Sequence, residues 1–204
     1  MVDYFYQGGA FMWPILGALL FGLGFAGERF YSLLMSGMDT QQFFDEIQST
    51  INESGTDEAI KVCESTEGPV AAIFYAGLSR THRGIEEVEK AIQNAGGLEM
   101  AFLEKNMIWL NAVITIAPML GFTGTVVGMI RAFDSIKAAN DISPAVVAGG
   151  ISEALLTTAF GLIVAMIIQV LQNIFVSRID KLVLDMEEQS VKIVDHLYEL
   201  ETKK

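Results

Sequence analysis

One carboxylate stands inside a stretch of the sequence that otherwise carries no charge. Glu153 is preceded by the uncharged run 145–152 and followed by another at 154–177. At bilayer depth this carboxylate costs about 2.5–3.5 kcal/mol on insertion scales, and no basic residue lies near it along the same helix. Such an acid is a candidate site on an ion path. The alternative is a Glu side chain that extends to the outer aqueous surface.

Small residues recur at helical spacing in the two stretches around this acid. Six of them fall within about 100° of one helix, namely Ala117, Gly121, Gly124, Thr125, Gly128 and Ala132. Five share a face of the next helix, namely Gly150, Ala154, Thr158, Gly161 and Ala165. Glu153 and Thr157 flank this second face. Small faces allow helices to approach closely in lipid, so packing alone is one interpretation.

Pro118 adds a polar feature to the first small-residue face. A proline inside a helix removes one backbone hydrogen bond and clashes with a carbonyl, here that of Ile114. In a membrane, the freed acceptor must be met by a neighbouring helix, a polar side chain or water. The region around Pro118 is therefore either tightly buried in protein or adjacent to a hydrated path.

These residues belong to two of three long uncharged stretches, 4–27, 106–130 and 154–177. Each exceeds the about 20 apolar residues that a helix needs to cross a bilayer core. The chain of 204 residues is 51% hydrophobic and 19% charged, against roughly 25% charged residues in soluble domains. The sequence predicts an all-α integral membrane protein with three transmembrane helices, two of them extended into the cytoplasm.

Basic residues predict the orientation, since Lys and Arg are enriched on the cytoplasmic side. Residues 28–105 contain six and the tail from 178 contains five, whereas 131–153 contain two and 1–10 none. We therefore expect the N-terminus outside and the C-terminus inside. The predicted segments are an outside N-terminus at 1–10, transmembrane helices at 11–34, 106–131 and 144–177, a cytoplasmic helical segment at 35–105, an outside connection at 132–143, and a cytoplasmic helical tail at 178–204.

Apolar residues at spacings of three and four continue from the membrane stretches toward the cytoplasm. The run from Ile85 to Phe102 leads into the second membrane helix, with Gly96–Gly97 as the only turn signal, and predicts one continuous helix. The tail stripe consists of Ile179, Leu182, Met186, Ile193, Leu197 and Leu200. A stripe of this length packs on another helix, either within one subunit or between subunits.

Two strings in the membrane stretches closely resemble the ExbB/TolQ/MotA proton-channel family, and ExbB and TolQ most of all. They read Ala-Pro-x-x-Gly-x-x-Gly-Thr-Val-x-Gly-Met at 117–129 and Gly-Ile-x-Glu-Ala-Leu-x-Thr-Thr-Ala-x-Gly-Leu at 150–162. Glu28-Arg29, at the inner end of the first membrane helix, also looks like that family. The strong match covers about 117–165, and the helix count and topology agree over the whole chain.

The resemblance implies a ring of five subunits in a bacterial inner membrane. Such a ring surrounds the single helices of a two-copy partner similar to ExbD or TolR, whose Asp binds the coupling ion. Ion flow then turns one component against the other, and an envelope protein similar to TonB or TolA receives the force. On this pattern the pore-lining hydroxyls of the family match Thr125 and Thr158, and its intramembrane acid matches Glu153.

Two extra hydroxyls depart from the family pattern. Thr157 stands where many members have Ala, and Thr123 adds another hydroxyl that should face away from the small-residue face. Thr157 lies one turn from Glu153, and a pair of oxygens like that suits a sodium ion as well as a proton. We expect the proton to be the coupling ion, and no other cofactor or metal.

The sequence thus predicts a ring subunit of a motor complex driven by the proton motive force. The predicted ion-path residues are Glu153, Thr125, Thr158 and Thr157, and the predicted packing or pore-lining residues are Pro118, Gly121, Gly124, Gly128, Ala154 and Gly161. The main alternative is a passive membrane scaffold that organises a partner helix. An enzyme has little support, because no nucleophile–base pair, metal cluster or phosphate loop is present. The net charge of −12 argues against nucleic acid as a partner.

Overall fold

Helices make up every regular element of residues 2–139 and 144–202, the part of the chain that the computed structural model describes. They are α1 (Val2–Gln7), α2 (Met12–Met35), α3 (Thr40–Ser54), α4 (Thr56–Ser65), α5 (Pro69–Leu78), a 3₁₀ turn (Thr81–Arg83), α6 (Ile85–Leu103), α7 (Met107–Ala139) and α8 (Pro144–Thr202). The described residues form two compact units. The first unit comprises residues within 1–29 and 106–174, and the second those within 30–105 and 175–204.

Three helices are long and apolar enough to cross a membrane, as the sequence predicted. Within the described residues, these helices are α2, α7 and α8. Large apolar side chains on these helices remain exposed, among them those of Trp13, Phe122 and Leu155. The all-helical prediction and the number of membrane helices are therefore confirmed.

The prediction of one continuous helix from residue 85 into the second membrane helix was wrong. The first helix, α6, ends at Leu103, and α7 begins at Met107. Asn106 between them has φ 65°, a left-handed conformation that Asn tolerates better than most residues. Gly96 and Gly97, the only turn signal in the sequence, remain inside α6. The left-handed Asn106 therefore separates two helices that the spacing of apolar residues alone predicts to be one.

The connection between the second and third membrane helices differs in part from its predicted bounds. Helix α7 continues to Ala139, so residues 132–139, predicted as connection, are helical. Helix α8 begins at Pro144, as predicted, and residues 140–143 lie outside the described part. Proline is tolerated in a first helical turn because the amide it lacks has no partner there.

Aromatic side chains form the interior of the second unit. The Phe74 ring lies 5.8 Å from that of Phe43 and 6.3 Å from that of Phe44. The Asp39 side chain caps α3 by accepting a hydrogen bond from the Gln42 amide at 3.0 Å. Such a cap satisfies one of the free amides at the start of a helix.

The tail stripe packs within the chain. Its residues Ile179, Leu182, Met186, Ile193 and Leu197 are all buried. On the same part of α8, Lys192 donates a hydrogen bond to Gln41 of α3 at 2.7 Å, and His196 pairs with Gln48 at 3.2 Å. Of the two interpretations that the sequence left open, packing within one subunit accounts for this stripe.

Candidate ion path

Three glycines of α7 lie directly against α8, two of them against its backbone and one against a side chain. A Cβ atom on Gly121 would lie 2.9 Å from the Thr157 carbonyl oxygen. One on Gly128 would lie 2.9 Å from the Ala154 amide nitrogen, and one on Gly124 would lie 2.6 Å from the Thr157 hydroxyl. These distances leave no room for a side chain, so the two backbones approach as closely as glycine allows. We call this contact the seam.

The glycines of α8 complete the seam from the other side. A Cβ on Gly161 would lie 2.6 Å from the Ala117 carbonyl oxygen, and one on Gly150 would lie 2.8 Å from the Gly128 carbonyl oxygen. Ala154 is also buried here. The two small faces found in the sequence are therefore turned toward each other within one chain.

Pro118 lies within α7 beside the seam. The helix runs from Met107 to Ala139 without a break at the proline, and Pro118 is half-buried. Its neighbour Ala117 is fully buried against α8. The proline therefore sits at the margin of the helix contact.

Thr125 and Thr158 meet at one edge of the seam, and we call them the threonine pair. Their hydroxyl oxygens lie within hydrogen-bonding distance of each other, and either can donate to the other. The hydroxyl that does not donate within the pair can donate to a carbonyl, that of Ala154 at 3.1 Å from Thr125 or that of Gly121 at 3.2 Å from Thr158. Both residues are half-buried, so this edge carries two linked hydroxyls that remain partly accessible.

The other two threonines singled out in the sequence are placed differently. Thr157 is 0% exposed, and its hydroxyl donates to the Ala154 carbonyl of its own helix at 2.9 Å. Thr123 is exposed and bonds the Met119 carbonyl at 2.8 Å, which agrees with the prediction that it faces away. Neither hydroxyl belongs to the threonine pair.

Glu153 forms an ion pair with Arg131 of α7. The Glu153 side chain is 16% exposed and the Arg131 side chain 52%. The sequence shows no basic residue near Glu153 along its own helix, and the cationic partner comes instead from α7. Arg131 directly follows the uncharged run 106–130. Because α7 and α8 run antiparallel, that end of α7 lies level with Glu153 near the start of α8, and this was the signal that the sequence offered.

A turn near the N-terminus covers the same carboxylate. Gly9 has φ +70°, and a Cβ atom on it would overlap the Glu153 Oε1 atom. Gly8, beside it, packs on Met12 at the start of α2. Sequence reasoning missed this contact, since residues 9 and 153 are distant in the chain and Gly-Gly has no periodic signal.

The threonine pair and the ion pair occupy opposite edges of the seam. Thr158 and Glu153 are about 140° apart around α8 at 100° per residue. Thr125 and Arg131 are about 120° apart around α7 by the same count. Among the described residues, no hydrogen bond joins the Glu153 carboxylate to a threonine hydroxyl. The structure therefore unites Thr125 with Thr158 and separates both from Glu153.

Helix α2 packs on the edge that holds the ion pair. A Cβ on Gly22 would lie 2.8 Å from Ile168 of α8 and 3.3 Å from Val113 of α7. Val113 and Arg131 lie about five full turns apart and so share one side of α7. The threonine pair thus faces the side of the seam away from α2.

At the other end of α2, Glu28 and Arg29 form a second charged group. Arg29 is almost fully buried, and its Nε donates to the Glu28 carboxylate at 2.7 Å. Asn106 donates to the same carboxylate at 3.2 Å. No group of three or more His, Cys, Asp or Glu side chains with metal-ligand geometry occurs in the described residues.

The sequence of the chain matches a family of proton channels. The MotA/TolQ/ExbB proton channel family matches residues 65–188, which include the whole seam between Ala117 and Gly161. A relative from Methanothermobacter thermautotrophicus, described as a biopolymer transport protein ExbB homolog, is 31% identical over 181 residues. That alignment covers 88% of this chain and 64% of the relative, so the chain spans less than two thirds of that protein's length.

Two further relatives show how the similarity is distributed. A Synechocystis protein described as ExbB-like 3 is 27% identical over 170 residues, covering 82% of this chain and 81% of its own length. The biopolymer transport protein ExbB of Salmonella typhimurium is 42% identical over 71 residues, 35% of this chain and 29% of its own. Identity is thus higher over a shorter segment than over the whole chain.

Proposed function

The chain belongs to the MotA/TolQ/ExbB proton channel family, and from that membership we propose that it is the ring subunit of an ion-driven complex of ExbB/TolQ type. The complex lies in the inner membrane, with the N-terminus of this subunit outside and its C-terminus in the cytoplasm. It couples proton flow to mechanical work on the cell envelope or to transport across the outer membrane. It acts as a channel and force-transmitting component, without catalysing a chemical reaction of its own.

One subunit holds only part of a path, which favours an assembly. Among the described residues of the membrane-spanning stretches, Glu153 is a half-buried acid, and that acid is paired. Large apolar side chains point outward from α7 and α8, including those of Met119, Phe122 and Leu155. We propose that five copies surround two copies of an ExbD/TolR-like single-helix protein. A TonB-like or TolA-like protein then receives the force.

The threonine pair is the observation that carries the mechanism. A hydroxyl has one proton to donate and two lone pairs that accept. A proton taken up by one hydroxyl of the pair is balanced when that hydroxyl releases its own proton to the next oxygen or to a held water. Thr125 and Thr158 already share a hydrogen bond at the partly accessible edge. Glu153, across the seam, sets the electrostatic potential of this region.

Replacing either hydroxyl of the pair by a methyl group tests the proposal. Thr125→Val and Thr158→Val keep the shape of the side chain, and we expect proton flux to fall at least about tenfold, equivalent to about 1.4 kcal/mol. Flux is measured with a pH-sensitive dye in membrane vesicles that contain the full chain and its own partners. Thr157→Val is the matched control. It removes the neighbouring hydroxyl, which is fully buried and bonded within its helix, so flux should stay within about twofold of wild type.

The rival function, a passive scaffold, gives a different result. In a scaffold the threonine pair only joins two helices, so both valine variants should conduct normally whenever the complex assembles. Native mass spectrometry of the gently extracted complex shows whether assembly persists. Intact assembly with unchanged flux in both variants would favour the scaffold over the ion path.

A further inference from the structure

The Glu153 carboxylate is enclosed from two directions. Arg131 holds it from α7 through an ion pair, and the turn at Gly9 lies so close that a methyl group there would overlap the Oε1 atom. The Gly9 φ of +70° is a conformation that glycine adopts without strain. Two separate segments of the chain are therefore shaped around one side chain.

This enclosure changes what the carboxylate can do. A metal cation bound through oxygen needs several oxygen ligands at once, whereas this carboxylate already faces a guanidinium and a covering turn. The Thr157 hydroxyl, the second oxygen of the predicted cation pair, donates to backbone carbonyls instead of turning to the carboxylate. The geometry is that of a fixed ion pair.

We propose that Arg131 and Gly9 form a clamp that positions Glu153 and closes it to metal cations, which makes the path specific for protons over sodium. The flux half of this proposal rests on the proposed function, while the clamp itself stands on the contacts. Arg131 and Gly9 are positioning residues, because they act on the ion only through Glu153.

Other charges near the clamp do not replace its parts. Asp134 and Lys137 on α7 are exposed, and so is Asp3 on α1. Lys137, the one cation of these three, forms no ion pair with Glu153 within the described part of the chain. Among the described residues, Arg131 is the cation paired with Glu153.

Arg131→Gln removes that cation while keeping a polar side chain of similar reach. We expect proton flux to fall about tenfold, and the remaining flux to depend on whether the buffer contains NaCl or KCl, because the half-buried Glu153 carboxylate then lacks its cation. Wild-type flux should be equal in both salts. Arg131→Lys should recover most of the flux, and Lys137→Gln, the matched loss of a cation from the same helix, should behave as wild type.

Gly9→Ala tests the other half of the clamp. The added methyl displaces the carboxylate, so flux should fall and become salt-sensitive in the same direction as in Arg131→Gln. Gly17→Ala is the control, since a Cβ there meets nothing within 4 Å. If Gly9→Ala does not reach the membrane, the Arg131 variants decide the question alone.

A double variant separates positioning from other roles. If Arg131 acts through Glu153, adding Arg131→Gln to Glu153→Gln causes no further loss of flux. Three results would overturn the clamp. The first is that Arg131→Gln lowers the flux of Glu153→Gln by the same factor as it lowers that of the wild type. The others are salt-independent flux in Arg131→Gln and a flux in Arg131→Lys as low as in Arg131→Gln.

Failure of the proposed function can be distinguished from failure of the clamp. If the two threonine variants conduct normally, the path proposal falls, and the clamp is then tested without flux. The thermal midpoints of the wild type, both single variants and the double variant at 131 and 153 form a double-mutant cycle. Additive midpoints would overturn the clamp, and a coupled cycle would support it.

Discussion

The two units differ in the residues at their closest contacts, although each also buries large apolar side chains such as Leu110 in the first and Leu78 in the second. In the first unit the helix contact consists of glycine, alanine and threonine, and large side chains such as Phe122 and Leu155 are more than half exposed. In the second unit the buried interior consists of large side chains, including Phe74, Ile47 and Ile73, at 0% exposure. The same chain therefore uses two packing strategies.

The difference follows from the solvent of each unit. In lipid, the surroundings are as apolar as a leucine side chain, so helices gain little by hiding large residues and associate through close backbone contact instead. In water, burial of apolar area is the main driving force, at roughly 25 cal/mol per Å². The close glycine contacts of the first unit are the kind that lipid favours, and the large buried side chains of the second are the kind that water favours.

The comparison is tested most strongly at two phenylalanines. Phe74→Ala empties the centre of the second unit and should destabilise it by about 3–5 kcal/mol. Phe122→Ala removes the same side chain from an exposed position of the first unit and should leave its stability within about 0.5 kcal/mol. Both are measured by urea titration of the detergent-solubilised chain, followed by limited proteolysis of each unit. Equal losses would mean that the two units do not differ in solvent.

The seam gives a smaller but more specific test. Gly161→Ala places a methyl group 2.6 Å from the Ala117 carbonyl oxygen and 3.1 Å from the Gly121 Cα. Both are backbone atoms of α7, so the helices must separate, at a cost of about 1–3 kcal/mol. Gly149→Ala, on the same helix, meets nothing within 4 Å. Thermal midpoints should therefore fall for Gly161→Ala and hold or rise for Gly149→Ala, and equal midpoints would contradict the close contact.

The smallest effect concerns the lone thiol of the second unit. Burial raises the pKa of Cys63 from 9.0 to about 12, so the folded thiol stays protonated where the unfolded one ionises. Its contribution to stability is therefore present below pH 9 and is lost as the pH rises toward about 12. At pH 8 the folded chain should react with iodoacetamide much more slowly than the chain in urea. Equal rates in the two conditions would contradict a closed interior.

Periodic features of the sequence predicted the fold well. The three apolar stretches and the two small-residue faces depend on composition and helical spacing, which a single sequence displays directly. The end of α6 was not predictable in this way, because Asn106 interrupts the helix by its own backbone conformation. Local conformation of one residue leaves no periodic trace.

The candidate site was predictable only in part. Thr125 and Thr158 are the two hydroxyls that the family resemblance singled out, and the sequence alone could not show that they touch. Arg131 and Gly9 were missed because their contacts with Glu153 depend on how separate helices come together. The burial of Thr157 was not predictable for the same reason, since Gly124 of another helix lies against it.

The glycines of the seam also limit how this protein can change over generations. Glycine is the smallest residue, so no substitution at Gly121, Gly128 or Gly161 can bring α7 and α8 closer together. Every mutation at these positions is an enlargement, and drift in the spacing of the two helices can proceed in one direction only. A variant chain in which the seam has widened regains the close contact only by restoring glycine at the same positions.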